Sequence, residues 1–144
     1  EPQTPEAREA VTLVYHTIGL IKGLSPRYWV LENPQGYLRQ VLGEPAGRVT
    51  YCQYGTDWMK PTDLWGEHPP GLSYRSCAYG NDCHAFNTDQ AHGGLGNCNV
   101  AGTRDPAERA KVPAELSTAI REACEAGLDG EVAEQTTADE WVTS

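Results

Sequence analysis

Tyr28-Trp29-Val30-Leu31-Glu32-Asn33-Pro34-Gln35-Gly36 is the most informative stretch of the chain. Its first four residues are apolar or aromatic and do not alternate. That pattern suits a strand covered on both faces, as in a parallel sheet. Polarity then changes at once. Glu32 and Asn33 emerge at the carboxyl end of the run, where open α/β sheets place their ligands. Pro34 and Gly36 supply a turn. Just upstream, Thr4-Pro5-Glu6 reads as a helix start, with a Thr cap, Pro at the first helical position and an acid in the first turn. Ala7, Ala10, Val11, Val14, Ile18 and Ile21 follow at helical spacing, and Leu13 and Leu20 widen the stripe. A face this broad predicts packing against a sheet, with the helix stopping at Gly23-Leu24. A helix followed by a buried strand is half of a βαβ unit, so the expected class is α/β.

Downstream, Val49 to Tyr54 is rich in β formers and predicts a second strand, and Thr62 to Trp65 a third. Residues 66–105 are rich in Gly, Asn, His and Pro without a sustained period, and a connection that long is functional or disordered. Pro113 to Ala126 returns to a helix, with Leu116, Ala119, Ile120 and Ala123 on one face and Gly127 as its cap. Residues 129–144 hold five acids and no base and read as a solvated, disordered tail. The chain thus divides into 1–65, an α/β portion; 66–105, an irregular insertion; 106–128, a closing helix; and 129–144, the tail.

Acids outnumber bases 20 to 11 in the 144 residues, for a net charge of −9, which argues against nucleic-acid binding by charge alone. No apolar run approaches the roughly 18–20 residues that span a bilayer. No signal-like segment opens the chain, so a signal peptide is absent or already removed, and the first residue, Glu1, predicts a processed or truncated piece; the expected location is cytoplasmic, in a prokaryotic or viral host cell. Of the five cysteines, Cys77, Cys83 and Cys98 lie in the irregular stretch beside His84 and His92. Cys77, Cys83, His84 and Cys98 are candidate zinc ligands. Their spacing is irregular, with no C-x-x-C, and Cys83 and His84 are adjacent, an arrangement that seldom points two side chains at one metal. Free thiols or one local disulfide are the alternatives. Cys124 sits on the closing-helix pattern and reads as a small core residue.

The run ending in Glu32-Asn33-Pro34 resembles the Glu-Asn motif of the DNA (cytosine-5)-methyltransferases, in the Glu-Asn-Pro form of phage and archaeal members. Three further blocks fit the same subgroup in the same order: Val49-Thr50-Tyr51-Cys52-Gln53-Tyr54-Gly55, Met59-Lys60-Pro61-Thr62-Asp63-Leu64-Trp65, and Ala107-Glu108-Arg109-Ala110-Lys111-Val112-Pro113-Ala114-Glu115-Leu116. The resemblance covers residues 5–126. It implies a Rossmann-like, S-adenosylmethionine-dependent methyltransferase sheet acting on cytosine in DNA. Family enzymes add a Cys thiolate to carbon 6 of a flipped-out cytosine, because the target atom is out of reach inside a duplex. A carboxyl group at ring nitrogen 3 stabilises the activated ring. By resemblance Glu32 has that role, and Asn33 holds the strand-end turn. Gln53 and Lys60 stand where the family has a Gln-Arg-Arg block and, with Arg75 and Arg104, are candidate DNA contacts. Val112 and Pro113 fall in the motif that lines the cofactor pocket, and 66–103 falls where the family reads its DNA target.

Two family elements are missing: the glycine-rich cofactor loop and the Pro-Cys nucleophile motif upstream of Glu-Asn. Cys52-Gln53 imitates the nucleophile motif, but Tyr51 replaces the Pro and the order relative to Glu32 is reversed. The resemblance therefore implies the carboxyl-terminal portion of a methyltransferase, inactive alone and completed by another chain or segment. A non-catalytic DNA-binding remnant and a small metal-stabilised module are the competing readings.

Overall fold

A computed structural model describes residues 4–78, 81–84 and 106–142, with the backbone only at Pro106, Arg109 and 131–142. Helix α1 (Pro5–Leu24) begins as its sequence dictates, with Thr4 Oγ1 accepting the Ala7 N–H at 3.2 Å. Its last residue is Leu24, so the stop falls on Ser25, two residues after the expected Gly23. Ser25 adopts the left-handed conformation, φ 47°, and its N–H bonds to the Ile21 carbonyl, with Pro26 forbidding continuation.

Strands β1 (Leu31–Pro34), β2 (Gly47–Thr50) and β3 (Pro61–Trp65) form a three-stranded antiparallel sheet in the order β1-β3-β2. This corrects the parallel strand expected near 28–31. Pairing starts only at Leu31, opposite Trp65, and Tyr28 to Val30 precede the strand. The backbone there is engaged elsewhere, because the Trp29 N–H bonds to the Glu67 carbonyl. At Gly66, φ 140°, a Cβ would lie 2.0 Å from the Trp29 carbonyl oxygen, so only glycine fits this crossing. β3 is central, which is why Thr62, Asp63, Leu64 and Trp65 are all buried.

The second expected strand stops at Thr50, and Tyr51–Tyr54 form a 3₁₀ turn. In a 3₁₀ turn residues three apart share a side. Tyr51 and Tyr54 therefore both enter the core, whereas an extended strand would send them to opposite faces. Their core partners are Val49, Leu64 and Leu116, flanked by Val30, Trp58, Ala119 and Ile120. Leu116, Ala119 and Ile120 come from the expected face of the closing helix.

The short helix α2 (Leu38–Leu42) is fastened to β3 twice. Arg39 grips the buried Asp63 with two bonds, 2.6 and 2.7 Å, and Trp65 Nε1 donates to the Gly43 carbonyl at 3.0 Å. Helix α3 (Pro106–Ala110) leads into α4 (Ala114–Val142). Gly127 does not cap α4. Neither it nor Gly130 takes positive φ, and the helix runs through the acidic segment expected to be disordered.

The structure thus shows a mixed α/β chain. Helix α1 departs from expectation: none of its residues is buried, and Leu13, Leu20 and Leu24 are 66, 56 and 80% exposed. Ile18 and Ile21 share a shallow groove with Trp29 and Glu67, and Ala7, Val11 and Val14 are only partly buried. No helix among the described residues is long and apolar enough to cross a membrane.

Candidate functional site

Two groups of reactive side chains meet at the 3₁₀ turn, one on each side. The first is built on Glu32. It sits on β1, the edge strand, opposite the buried Leu64. The Tyr51 hydroxyl donates to Glu32 Oε1 at 2.7 Å. Burial, reinforced by the Glu32 carboxylate, pushes the Tyr51 phenol well above its ordinary value, so it remains a donor at any physiological pH. The Lys60 ammonium lies 4.4 Å from the centre of the Tyr51 ring. Burial lowers the Lys60 pKa, and the pull of Glu32 opposes that shift. Lys60 also holds a positive φ of 29°, a strained conformation for a side-chain-bearing residue. Tyr51 takes up one carboxylate oxygen and leaves Oε2 without a hydrogen bond among the described residues. Asn33 Nδ2 donates to the Pro34 carbonyl at 2.9 Å, a local bond within the strand end.

The second group is a cluster of Cys52, Cys77, Cys83 and His84, whose donor atoms all lie within 4.8 Å of one another. This set could hold a metal ion. Cys52 Sγ is 3.1 Å from Cys77 Sγ and 3.8 Å from Cys83 Sγ. His84 Nδ1 is 3.5 Å from Cys83 Sγ and 3.7 Å from Cys77 Sγ. The neighbours Cys83 and His84 do converge, contrary to the expectation from their adjacency. Cys52 joins them because the 3₁₀ turn that sends Tyr51 and Tyr54 inward points Cys52 the other way. The sequence signal for Cys52 was the turn itself, hidden by the β-forming composition of Val49 to Tyr54. Burial pushes the Cys52 thiol up to about 12, which makes it a poor free nucleophile. Burial would also raise Cys77, but Thr50, the neighbouring thiols and Arg48 outweigh it and lower the pKa.

The buried Thr50 hydroxyl organises this side, accepting the Cys77 N–H at 2.8 Å and the Cys52 thiol at 3.6 Å. The Thr50 N–H bonds to the Arg75 carbonyl, and the Arg75 N–H to the Tyr54 hydroxyl, both at 3.1 Å. The segment leading to Cys77 is thereby laid along the turn.

The remaining sequence candidates are dispersed. Gln53 lies in the 3₁₀ turn. The Arg75 guanidinium stacks 4.1 Å from the centre of the Tyr54 ring and reaches Glu115 at 4.0 Å, so it is engaged within the chain while half-exposed. Val112 is exposed and Pro113 buried between α3 and α4; neither side chain has a polar group to hold a nucleoside, so these two do not form a cofactor pocket by themselves. Arg104 and Cys98 lie outside the described residues. Asp63, missed as a key residue, is the counter-charge that fixes Arg39 to the central strand β3. No family model, curated protein or solved structure matches the chain.

Proposed function

We propose that this chain is the carboxyl-terminal part of a DNA (cytosine-5)-methyltransferase, with Glu32 as the carboxyl group that engages the flipped-out cytosine. The observation that carries the reading is the anchored carboxylate. Glu32 stands within the edge strand β1, one oxygen held by Tyr51, the other without a hydrogen bond among the described residues, with Lys60 over the Tyr51 ring. A carboxyl group that must meet one edge of a base needs this: a fixed orientation and one free oxygen. Asn33 and the Arg39–Asp63 pair keep the strand end and its sheet in place. Two further features fit a piece of a larger sheet. β1 has β3 as its sole strand partner among the described residues, and α1 buries none of its residues while Leu13 and Leu20 are exposed.

In this reading Glu32 protonates or hydrogen-bonds ring nitrogen 3 as the thiolate of the missing segment adds to carbon 6. S-adenosylmethionine supplies the methyl group. Lys60 holds the carboxylate or a DNA phosphate, and residues 66–103 touch the DNA. The setting is the cytoplasm of a prokaryotic cell or of the host of a virus. Zinc is the metal that suits the thiol-rich cluster.

The test joins the chain to a methyltransferase segment carrying the glycine-rich loop and the Pro-Cys motif, by fusion or mixing, and follows methyl transfer from labelled S-adenosylmethionine to cytosine DNA. Transfer by the completed enzyme and none by the isolated chain is expected. Transfer by the isolated chain would overturn the assignment to a carboxyl-terminal part, and no transfer by the completed enzyme would overturn the methyltransferase reading.

A further inference from the structure

We infer that Cys52, Cys77, Cys83 and His84 form a zinc centre with these four as its ligands, and that the ion fastens the segment from Cys77 to the turn that aims Tyr51 at Glu32. The first half stands on the cluster alone; the second rests on the proposed function.

A tetrahedron with zinc–sulfur bonds near 2.3 Å and a zinc–nitrogen bond near 2.0 Å has sulfur–sulfur edges of about 3.8 Å and sulfur–nitrogen edges of about 3.5 Å. Three of the four measured edges, 3.8, 3.7 and 3.5 Å, fall at those values. The fourth, 3.1 Å between Cys52 and Cys77, opens to a tetrahedral edge with a small rotation of either side chain. Three sulfurs and one imidazole close a four-coordinate shell, the donor number of a structural zinc site. Soft thiolates also disfavour calcium and magnesium, which take oxygen ligands. Three thiolates on a divalent ion leave one net negative charge.

The peptide is already shaped for this. Thr50 bonds both Cys52 and the Cys77 backbone, so ligands from two distant parts of the chain are held together by protein groups. Tyr51 and Cys52 are neighbours in one 3₁₀ turn. A metal bond to Cys52 restrains the turn from one side while Tyr51 reaches Glu32 from the other.

The test uses the full chain and zinc itself. Metal content is measured for wild type, Cys52→Ser, Cys77→Ser and Cys98→Ser, with cobalt substituted to read the visible bands of a tetrahedral thiolate site. Wild type and Cys98→Ser should each hold one ion, with affinity falling at least about tenfold in Cys52→Ser and Cys77→Ser. Should those variants fail to fold, X-ray absorption on wild type decides instead, with three sulfurs and one nitrogen expected. Loss of metal in Cys98→Ser with retention in Cys52→Ser, or no uptake by wild type, would overturn the site. Amide exchange across 51–54 should slow on zinc loading, and unchanged exchange would overturn the coupling. A chain that binds zinc this way yet supports no methylation would refute the proposed function and leave the metal site standing.

Discussion

The sheet with its 3₁₀ turn and helix α1 make an instructive pair. α1 carries every local signal a helix can have: a Thr cap, Pro at the first position, an acid in the first turn and an apolar stripe. It buries nothing fully. The 3₁₀ turn lacks a strong local signal, yet Tyr51 and Tyr54 are at the centre of the core. Local propensity makes an element; only a partner surface makes a core. The sheet has its partner in α4, through Leu116 and Ile120 against the tyrosines, whereas α1 touches Trp29 and Glu67 only through a shallow groove and buries none of its residues.

Substitutions can break this contrast. The largest expected effect is at Arg39→Ala, which strands the fully buried Asp63 carboxylate and should lower the denaturant midpoint more than any other change named here. An unchanged midpoint would mean that Asp63 finds another partner. Leu116→Ala empties a side chain only 1% exposed and should cost about 2–5 kcal/mol, read as a lower melting temperature. Lys60→Met has a smaller effect, of opposite sign. Burial lowers the Lys60 pKa, so below that value folding bears the cost of a half-buried charge. As pH rises toward 10.5 the folded chain sheds a proton that the unfolded chain still binds, and the cost disappears. The variant should therefore be slightly more stable than wild type at neutral pH, and the gain should close by pH 10.5. A gain that widens with pH would contradict this. Leu13→Ser, at an exposed position of α1, should stay within about 0.5 kcal/mol of wild type. A loss comparable to that of Leu116→Ala would show that α1 is covered in solution.

Short-range features were legible in the sequence. The α1 start, the β3 strand and the inward face of α4 all follow from caps, composition and period. The direction of β1 was not legible, because an apolar run records burial but not the partner that pairs with it. The end of β2 was misread because Tyr and Cys are strand formers, and only the three-residue spacing of Tyr51 and Tyr54 hints at a tighter turn. That error also hid Cys52 from the metal set. Gly127 could cap a helix or continue one, and nothing adjacent distinguishes the two. Glu32 stood out where polarity switches after an apolar run, whereas its bond to Tyr51 joins residues far apart in sequence.

The central claim concerns the Glu32 carboxyl group. Glu32→Gln preserves shape and an acceptor for Tyr51 but removes the ionisable proton. The decisive measurement is single-turnover methylation of cytosine DNA by the completed enzyme carrying this change, alongside a thermal melt. Turnover should fall by about 10²–10⁴-fold, with DNA affinity, dominated by phosphate contacts, and melting temperature nearly unchanged. Normal turnover, or a large fall in melting temperature, would show that Glu32 only supports the strand end.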